Sequence, residues 1–295
     1  FQDLYGNYWN IGTSTISRRH MFERRISLYP TFFDKDGDVY AYTAWGDYPM
    51  IVPDKKISSP QDLFPGWMLL SYKKKVEASS TLEGYPTENA VNEDIRTWWS
   101  AKTADKGEFM TVDLDRNSKV YAIQVNFADQ DATALGKSDS IYYQYRIEES
   151  QDGITWNLLV DKSENKADAP NDYIQLDKPA DTRYIYFPSG KFSISGLRVF
   201  GKVDKPVPAT AQFTELTRKN DNRRTVNLSW SKVNDATGYN IRFGTQKNKL
   251  YHNYLVYEDN KVSINILNAD QTYYFAIDSF NEAGVTIGKE IKTIQ

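Results

Sequence analysis

The chain has no cysteine and only two histidines, His20 and His252, among its 295 residues. The first absence excludes disulfides, thiolate metal sites and cysteine nucleophiles. The second rules against a multi-histidine zinc site and leaves any histidine-dependent triad only two candidates. No apolar run approaches the ~20 residues of a membrane-spanning helix, and the opening residues do not read as a signal peptide. A strong excess of either charge is also missing. The formal net charge is −3, and the clusters Arg18-Arg19, Arg24-Arg25 and Lys73-Lys74-Lys75 are offset by scattered acids, which removes a general electrostatic case for nucleic acid. The chain opens on Phe1 rather than Met, which fits a processed product or a piece of a longer protein.

Rings are abundant. Tyr 21, Phe 14 and Trp 7 make the chain 14% aromatic, and with β-branched residues in short runs this predicts an all-β fold of two or three domains. In the first seventy residues, Asn7–Thr15, Arg25–Phe33 and Asp38–Trp45 read as strands. Asp34-Lys-Asp-Gly-Asp38 reads as the turn between the last two, because its acid spacing lacks the later Gly and distal Glu of a calcium loop. Three such strands bury too little apolar surface to stand alone.

Asn7-Tyr-Trp-Asn-Ile-Gly12, Arg19-His-Met-Phe-Glu-Arg-Arg25, Tyr29-Pro30 and Ala44-Trp-Gly-Asp-Tyr-Pro49 resemble the end of the five-bladed catalytic propeller of family 43 glycoside hydrolases. The resemblance implies a parent enzyme acting on arabinosyl or xylosyl linkages of polysaccharide. In that family the catalytic base, pKa-modulating and acid carboxylates lie on earlier blades, so this chain alone is expected to be inactive. Glu23, Asp47 and the turn aspartates take none of those roles by family position. His20, Arg24 and Arg25, beside Glu23, read either as the rim of a sugar cleft or as a solvated ion-pair segment.

Asp54–Pro65 is polar and Pro-punctuated and reads as a linker or a loop laid over a surface. It is followed by the apolar strand Gly66–Tyr72, whose trailing lysines suit a protected edge. Strands are then predicted at 109–114, 122–127, 142–148, 157–160, 172–176, 183–187 and 196–200. The alternation of Ile123, Val125, Phe127 and of Tyr143, Tyr145, Ile147 argues an antiparallel sandwich or jelly roll. Ala78-Ser-Ser80, Asn89-Ala-Val91, Thr97-x-Trp99-Ser, Val112-Asp-Leu114, Ser150-x-Asp-Gly-x-x-Trp156, Arg183-Tyr-Ile185 and Leu197-Arg-Val-Phe-Gly201 resemble the coagulation factor V/VIII type C (discoidin) domain. That domain shares its galactose-binding-like fold with carbohydrate-binding module family 32.

The resemblance implies a structural calcium held by the loop after Asn89. Here that loop reads Asn92-Glu93-Asp94 and keeps only Asp94 and Thr97 of the side-chain ligands, with Gly196 where a closing Glu is usual. It also implies sugar binding through loops at one end of the sandwich. A pyranose needs an aromatic face and planar hydrogen-bonding groups, and Tyr85, Trp98, Asp129, Gln130, Arg146 and Tyr173 are the candidates. Trp99 and Trp156 read as core residues. Trp98 reads equally as a wedge in the fold or a sugar platform. Arg146 reads also as half of a cross-strand ion pair with Glu148 or a neighbour.

After Lys202–Pro208, strands at Val226–Trp230, Thr237–Phe243 and Tyr273–Ile277 alternate strictly. With Gly238-Tyr239, Leu267 and Asn281-Glu-Ala-Gly284 they resemble a fibronectin type III domain, an immunoglobulin-like sandwich in which Trp230 fills the centre and Tyr273 is the corner tyrosine. His252 reads as an exposed loop residue.

The domains expected are 1–73, the end of a propeller plus linker; 74–202, a discoidin-like sandwich; and 203–295, a fibronectin type III spacer. The function expected is the C-terminal part of a glycoside hydrolase with a carbohydrate-binding-like accessory domain. Its partners would be a polysaccharide or oligosaccharide and the propeller's missing N-terminal portion. The resemblance implies a secreted, periplasmic or bacterial cell-surface location. The alternative is a non-enzymatic glycan-binding or adhesion protein.

Overall fold

The computed structural model describes residues 1–15, 24–45, 48–103, 105–128, 130, 142–188 and 193–295, with the side chains of 13–15 and 24–25 left out. Its contacts divide the chain into two compact units. The first comprises residues 1–14, 26–68 and 205–295, the second 15–25 and 69–204. No described helix is long and apolar enough to cross a membrane.

In the first unit, β1 (Tyr8–Thr15), β2 (Arg24–Phe33) and β3 (Val39–Ala41) form a three-stranded sheet in that order. The predicted turn is present: Asp34 accepts from the backbone N–H of Asp36 and Asp38, and Gly37 takes the positive φ of 84° that the reversal requires. The third strand is shorter than its aromatic run suggested, because Tyr42–Trp45 leaves the sheet to pack.

The second unit carries the long sheet. Its strands are β4 (Met68–Leu69), β5 (Lys75–Ala78), β6 (Trp99–Ser100), β7 (Met110–Phe127), β8 (Arg146–Ser150), β9 (Asn157–Asp161), β10 (Asn171–Phe187) and β11 (Ser193–Lys202). The order is β4-β11-β7-β10-β8-β9, with β5 added on β7 and β6 on β11. Two expected strand pairs are each one continuous strand. Residues 109–114 and 122–127 merge in β7, and residues 172–176 and 183–187 merge in β10. The polar stretch Asp115-Arg-Asn-Ser-Lys119 reads like a turn. It is instead an irregular bend, with Asp115 at φ 70° and shifts in the pairing of β10 with β7 on either side of Ala180–Thr182. A bent strand serves both layers of the sandwich, so one core, including Trp99, Met110, Val125, Ile185 and Val199, lies between them.

The remaining strands, β12 (Phe213–Arg218), β13 (Val226–Trp230), β14 (Gly238–Gly244), β15 (His252–Tyr257), β16 (Lys261–Ile264), β17 (Tyr273–Asn281), β18 (Gly284–Thr286) and β19 (Lys292–Ile294), belong to the first unit. They form antiparallel sheets β12-β13-β16 and β15-β14-β17-β18, with β19 on β17. Alternation buries Val226, Leu228 and Trp230 on one sheet against Tyr239, Ile241, Phe243, Phe275 and Ile277 on the other. The Tyr273 hydroxyl accepts from the Asn268 backbone N–H at 3.1 Å. Buried Arg218 closes the neighbouring loops by donating to the carbonyls of Arg223, Asn268, Ala269 and Gln271. Buried Asp278 takes both ends of the Arg242 guanidinium at 2.7 and 2.8 Å.

Other residues of these strands and their loops complete the core that β1–β3 lack. Trp45 stacks on Phe64 and meets Phe280 edge-on, Tyr40 stacks on Tyr251 at 3.8 Å, and Tyr48 and Tyr257 share a hydroxyl bond of 2.8 Å. Buried Lys249 inserts its ammonium among Asp34, Asp36 and Asp38 at 2.9, 2.9 and 2.6 Å. With Tyr251 also donating to it, the Asp34 carboxyl is held down to about 2. The acid-rich turn therefore holds an internal cation.

Candidate functional site

The stretch Glu88–Ala101 of the second unit is built on a short 3₁₀ turn, Thr87–Val91, that buries Ala90 and Val91. Gly84, at φ 86°, turns the preceding chain so that the Tyr85 carbonyl reaches the Ser100 N–H. Asn89 donates to the Trp98 carbonyl at 3.1 Å. The loop thus separates two adjacent indoles. Trp99 is fully buried and donates to the Ser80 carbonyl. Trp98 is half-buried and stacks on Tyr85, ring centroids 5.0 Å apart and 29° between planes. Its Nε1–H donates to Gln130 Oε1 at 2.7 Å.

Three sequence candidates therefore come together: Tyr85, Trp98 and Gln130. Their combination is a paired aromatic surface with a planar amide fixed at its edge, which suits a ligand with one apolar face and hydroxyls around its rim. The others belong to different neighbourhoods. Arg146 pairs across strands with Asp161 at 3.4 Å rather than with Glu148. Tyr173, 43% exposed, stands on β10 opposite Gln124. Asp129 and His20 lie outside the described residues, as do Glu23 and Asp47 and the side chains of Arg24 and Arg25.

The residues read as calcium ligands are turned to other partners. Asp94 faces the Arg96 guanidinium at 3.2 Å and accepts from the Arg96 N–H. The Thr97 hydroxyl donates to the Asp94 carbonyl and accepts from Asn92 Nδ2, both at 2.9 Å. Glu93, at φ 60°, accepts from Arg198 Nε at 3.0 Å. Calcium wants six to eight oxygens. In this loop the Asp94 and Glu93 carboxylates are paired with the guanidinium groups of Arg96 and Arg198.

Arg198 is the anchor that sequence reasoning missed. It is 3% exposed, also donates to Gln124 Oε1 at 3.0 Å, and lies over Phe200. A lone Arg inside the apolar run of β11 was the available signal, since a buried charge demands a partner. Glu108 was missed in the same way. The residue is 6% exposed, and its carboxylate accepts from the hydroxyls of Ser79, Ser80 and Thr103 and from the Thr103 N–H. These donors hold its pKa down to about 2. Ala78-Ser-Ser80 thus supplies a pair of donors for a carboxylate 29 and 28 residues further on. Trp156, read as core, corrects outward. It is half-buried, with Tyr184 and Tyr186 beside it on the outer face of the sheet, because Tyr184 and Tyr186 alternate with the core residues Ile185 and Phe187. His252 is exposed at the start of β15, its ring 5.1 Å from Phe243.

Residues 75–190 match the F5/8 type C domain. No curated protein matches the chain. Among solved structures, similarity is found to CpGH89CBM32-6 of Clostridium perfringens, 22% identical, covering 45% of this chain and 99% of that one with a TM-score of 0.38. It extends to chitosan-binding module 1 of a chitosanase/glucanase from Paenibacillus sp. IK-5, 19% identical, covering 45% and 99% with a TM-score of 0.37. A third is the family 32 CBM of C. perfringens NanJ, solved in complex with galactose, 18% identical, covering 45% and 98% with a TM-score of 0.36. The F5/8 type C segment holds the candidate loop, the Glu108 cradle and the Trp156 face.

Proposed function

We propose that the F5/8 type C segment is a glycan-recognition module and that Tyr85, Trp98 and Gln130 form its contact surface. The observation that carries this reading is the half-buried Trp98, stacked on Tyr85 and fixed at its nitrogen by Gln130. Such a ring is already ordered before a ligand arrives, so binding loses little side-chain entropy. A pyranose that covers roughly 60 Å² of apolar ring surface gains about 1.5 kcal/mol, or about tenfold in affinity.

The wider reading is that the chain is the C-terminal part of a family 43-like glycoside hydrolase acting on arabinosyl or xylosyl linkages outside the cytoplasm. Its β1–β3 sheet would end the propeller, and residues 205–295 would be a fibronectin type III spacer. The buried Trp230 and the Tyr273–Asn268 bond support the spacer; the motifs around Trp9, Tyr29 and Trp45 support the propeller.

A thermal-shift and titration series on the whole chain, with arabinosyl, xylosyl and galactose-terminated oligosaccharides, tests recognition. A saturable NMR shift of the Trp98 indole N–H signal that weakens about tenfold in Tyr85→Ala is expected, and no shift of that signal with any of these sugars would sink the assignment. Hydrolysis of an aryl arabinoside or xyloside by this chain alone would overturn the expectation that catalysis needs the earlier blades.

A further inference from the structure

A second cleft, sharing no side chain with the Trp98 site, lies on the outer face of the F5/8 type C segment. It has a volume of about 530 Å³ and is lined by β5, β7, β10 and the turn that leads to Trp156. Ligand pockets commonly fall between about 300 and 1,000 Å³, so two or three sugar rings fit its scale.

Strand register builds its floor. Lys75 lies opposite Asp113, which lies opposite Tyr184; Glu77 lies opposite Thr111, which lies opposite Tyr186. Two transverse rows of outward side chains therefore run across three strands, while Val76, Val112 and Ile185 turn into the core. Rings close the far side. Trp156 stands 4.8 Å from Tyr186 at 41°, and Phe109 stands 5.6 Å from the same ring. Gly153, at φ 74°, brings the turn against Tyr184, where a Cβ would meet the ring at 3.4 Å.

Two of the carboxylates are held in advance, and the exposed Lys75–Glu77 pair lies beside them. Asp113 is gripped by both ends of the Arg183 guanidinium at 2.7 Å. Asp152 accepts from the N–H of Ile154 and Thr155 at 2.8 Å. Lys75 reaches Glu77 at 2.5 Å. Glu77, Asp113 and Asp152 slightly outweigh Lys75 and Arg183, so an anion gains nothing here. Oriented carboxylates beside tilted rings suit an uncharged polyol, whose hydroxyls donate to the acids and whose C–H faces lie on the rings.

We propose that this cleft is a binding site for a neutral oligosaccharide of two to three pyranose units, with Trp156, Tyr184 and Tyr186 as the ring platform and Glu77 and Asp152 as hydroxyl acceptors. It is independent of the Trp98 surface. The test is nitrogen-edited NMR of the indole N–H signals of the full chain, titrated with xylohexaose, cellohexaose and laminarihexaose, and with oligogalacturonate as the anionic control. A saturable shift of the Trp156 signal with at least one neutral hexasaccharide is expected. It should fall at least tenfold in affinity in Tyr184→Ala and in Thr111→Trp, which fills the floor without removing a contact. Trp98→Ala should leave the Trp156 response unchanged, so failure of either site is read separately. No Trp156 shift with any neutral hexasaccharide, a stronger response to oligogalacturonate, or a shift that survives Thr111→Trp would overturn the proposal.

Discussion

Replacing Glu108 with Gln should remove a definite, pH-dependent share of the second unit's stability. The carboxylate is nearly inaccessible and receives four donors from Ser79, Ser80 and Thr103. Its pKa falls from 4.5 to about 2. A depressed carboxylate stabilises the fold above its unfolded pKa, and the effect is lost as pH falls toward the folded value. The shift corresponds to about 3 kcal/mol at neutral pH and to roughly half of that at pH 3. Glutamine keeps the shape but replaces one acceptor oxygen by a donor, so at least one serine or threonine hydroxyl must find another partner. Urea unfolding of Glu108→Gln beside the parent chain at pH 7, 5, 4 and 3, followed by a probe of the second unit, gives the difference directly. A gap of about 2–3 kcal/mol at pH 7 that narrows steadily below pH 4.5 is expected. A gap that stays constant down to pH 3 would refute the carboxylate as the held group.

Arg198→Met should destabilise the second unit by about 3 kcal/mol in chemical unfolding, because it leaves Glu93 and Gln124 without their shared guanidinium; Arg198→Lys should recover only part of it, as one ammonium cannot span both. In the first unit, Lys249→Met leaves three aspartates facing one another. Its melting temperature should fall at pH 7, and the deficit should shrink as pH drops from 5 to 3, where the parent loses the benefit of the depressed Asp34 and the variant's carboxylates become neutral. An equal deficit at both pH values would contradict the electrostatic account. Gly288→Ala places a Cβ 1.9 Å from the Ile277 carbonyl oxygen, so β17 must move. A loss of about 2–3 kcal/mol is expected in the first unit's unfolding midpoint.

The β class and most strand positions were legible because alternation marks a half-buried strand, as in Ile123–Phe127 and Val226–Trp230. The continuity of β7 and β10 was not, since a polar bend and a turn carry the same residues. Trp99 was legible as core, whereas the role of Trp98 shows only in its partners Tyr85 and Gln130, and Trp156 was misplaced because its spacing from Asp152-Gly153 fixes a turn, not the face to which the ring points. Glu108, Arg198 and Lys249 were invisible for another reason. Each has partners far along the chain, Ser80 28 residues from Glu108, Glu93 105 from Arg198 and Asp34 215 from Lys249, and sequence carries no distance.

The first unit is discontinuous: residues 69–204 are spelled out between its opening strands and the sandwich that completes them. At roughly 5–20 residues per second, synthesis of that insert takes on the order of ten seconds or more. During that time Trp45, Tyr48 and the Asp34–Asp38 turn have no Phe280, Tyr257 or Lys249 to meet. The opening strands are therefore made early and finished late, whereas the second unit has all its strands once residue 204 has emerged. A chain stopped at residue 204 should fold its second unit yet expose those aromatics to a hydrophobic dye, and each molecule of the whole protein carries that same interval as a brief susceptibility to aggregation during its birth.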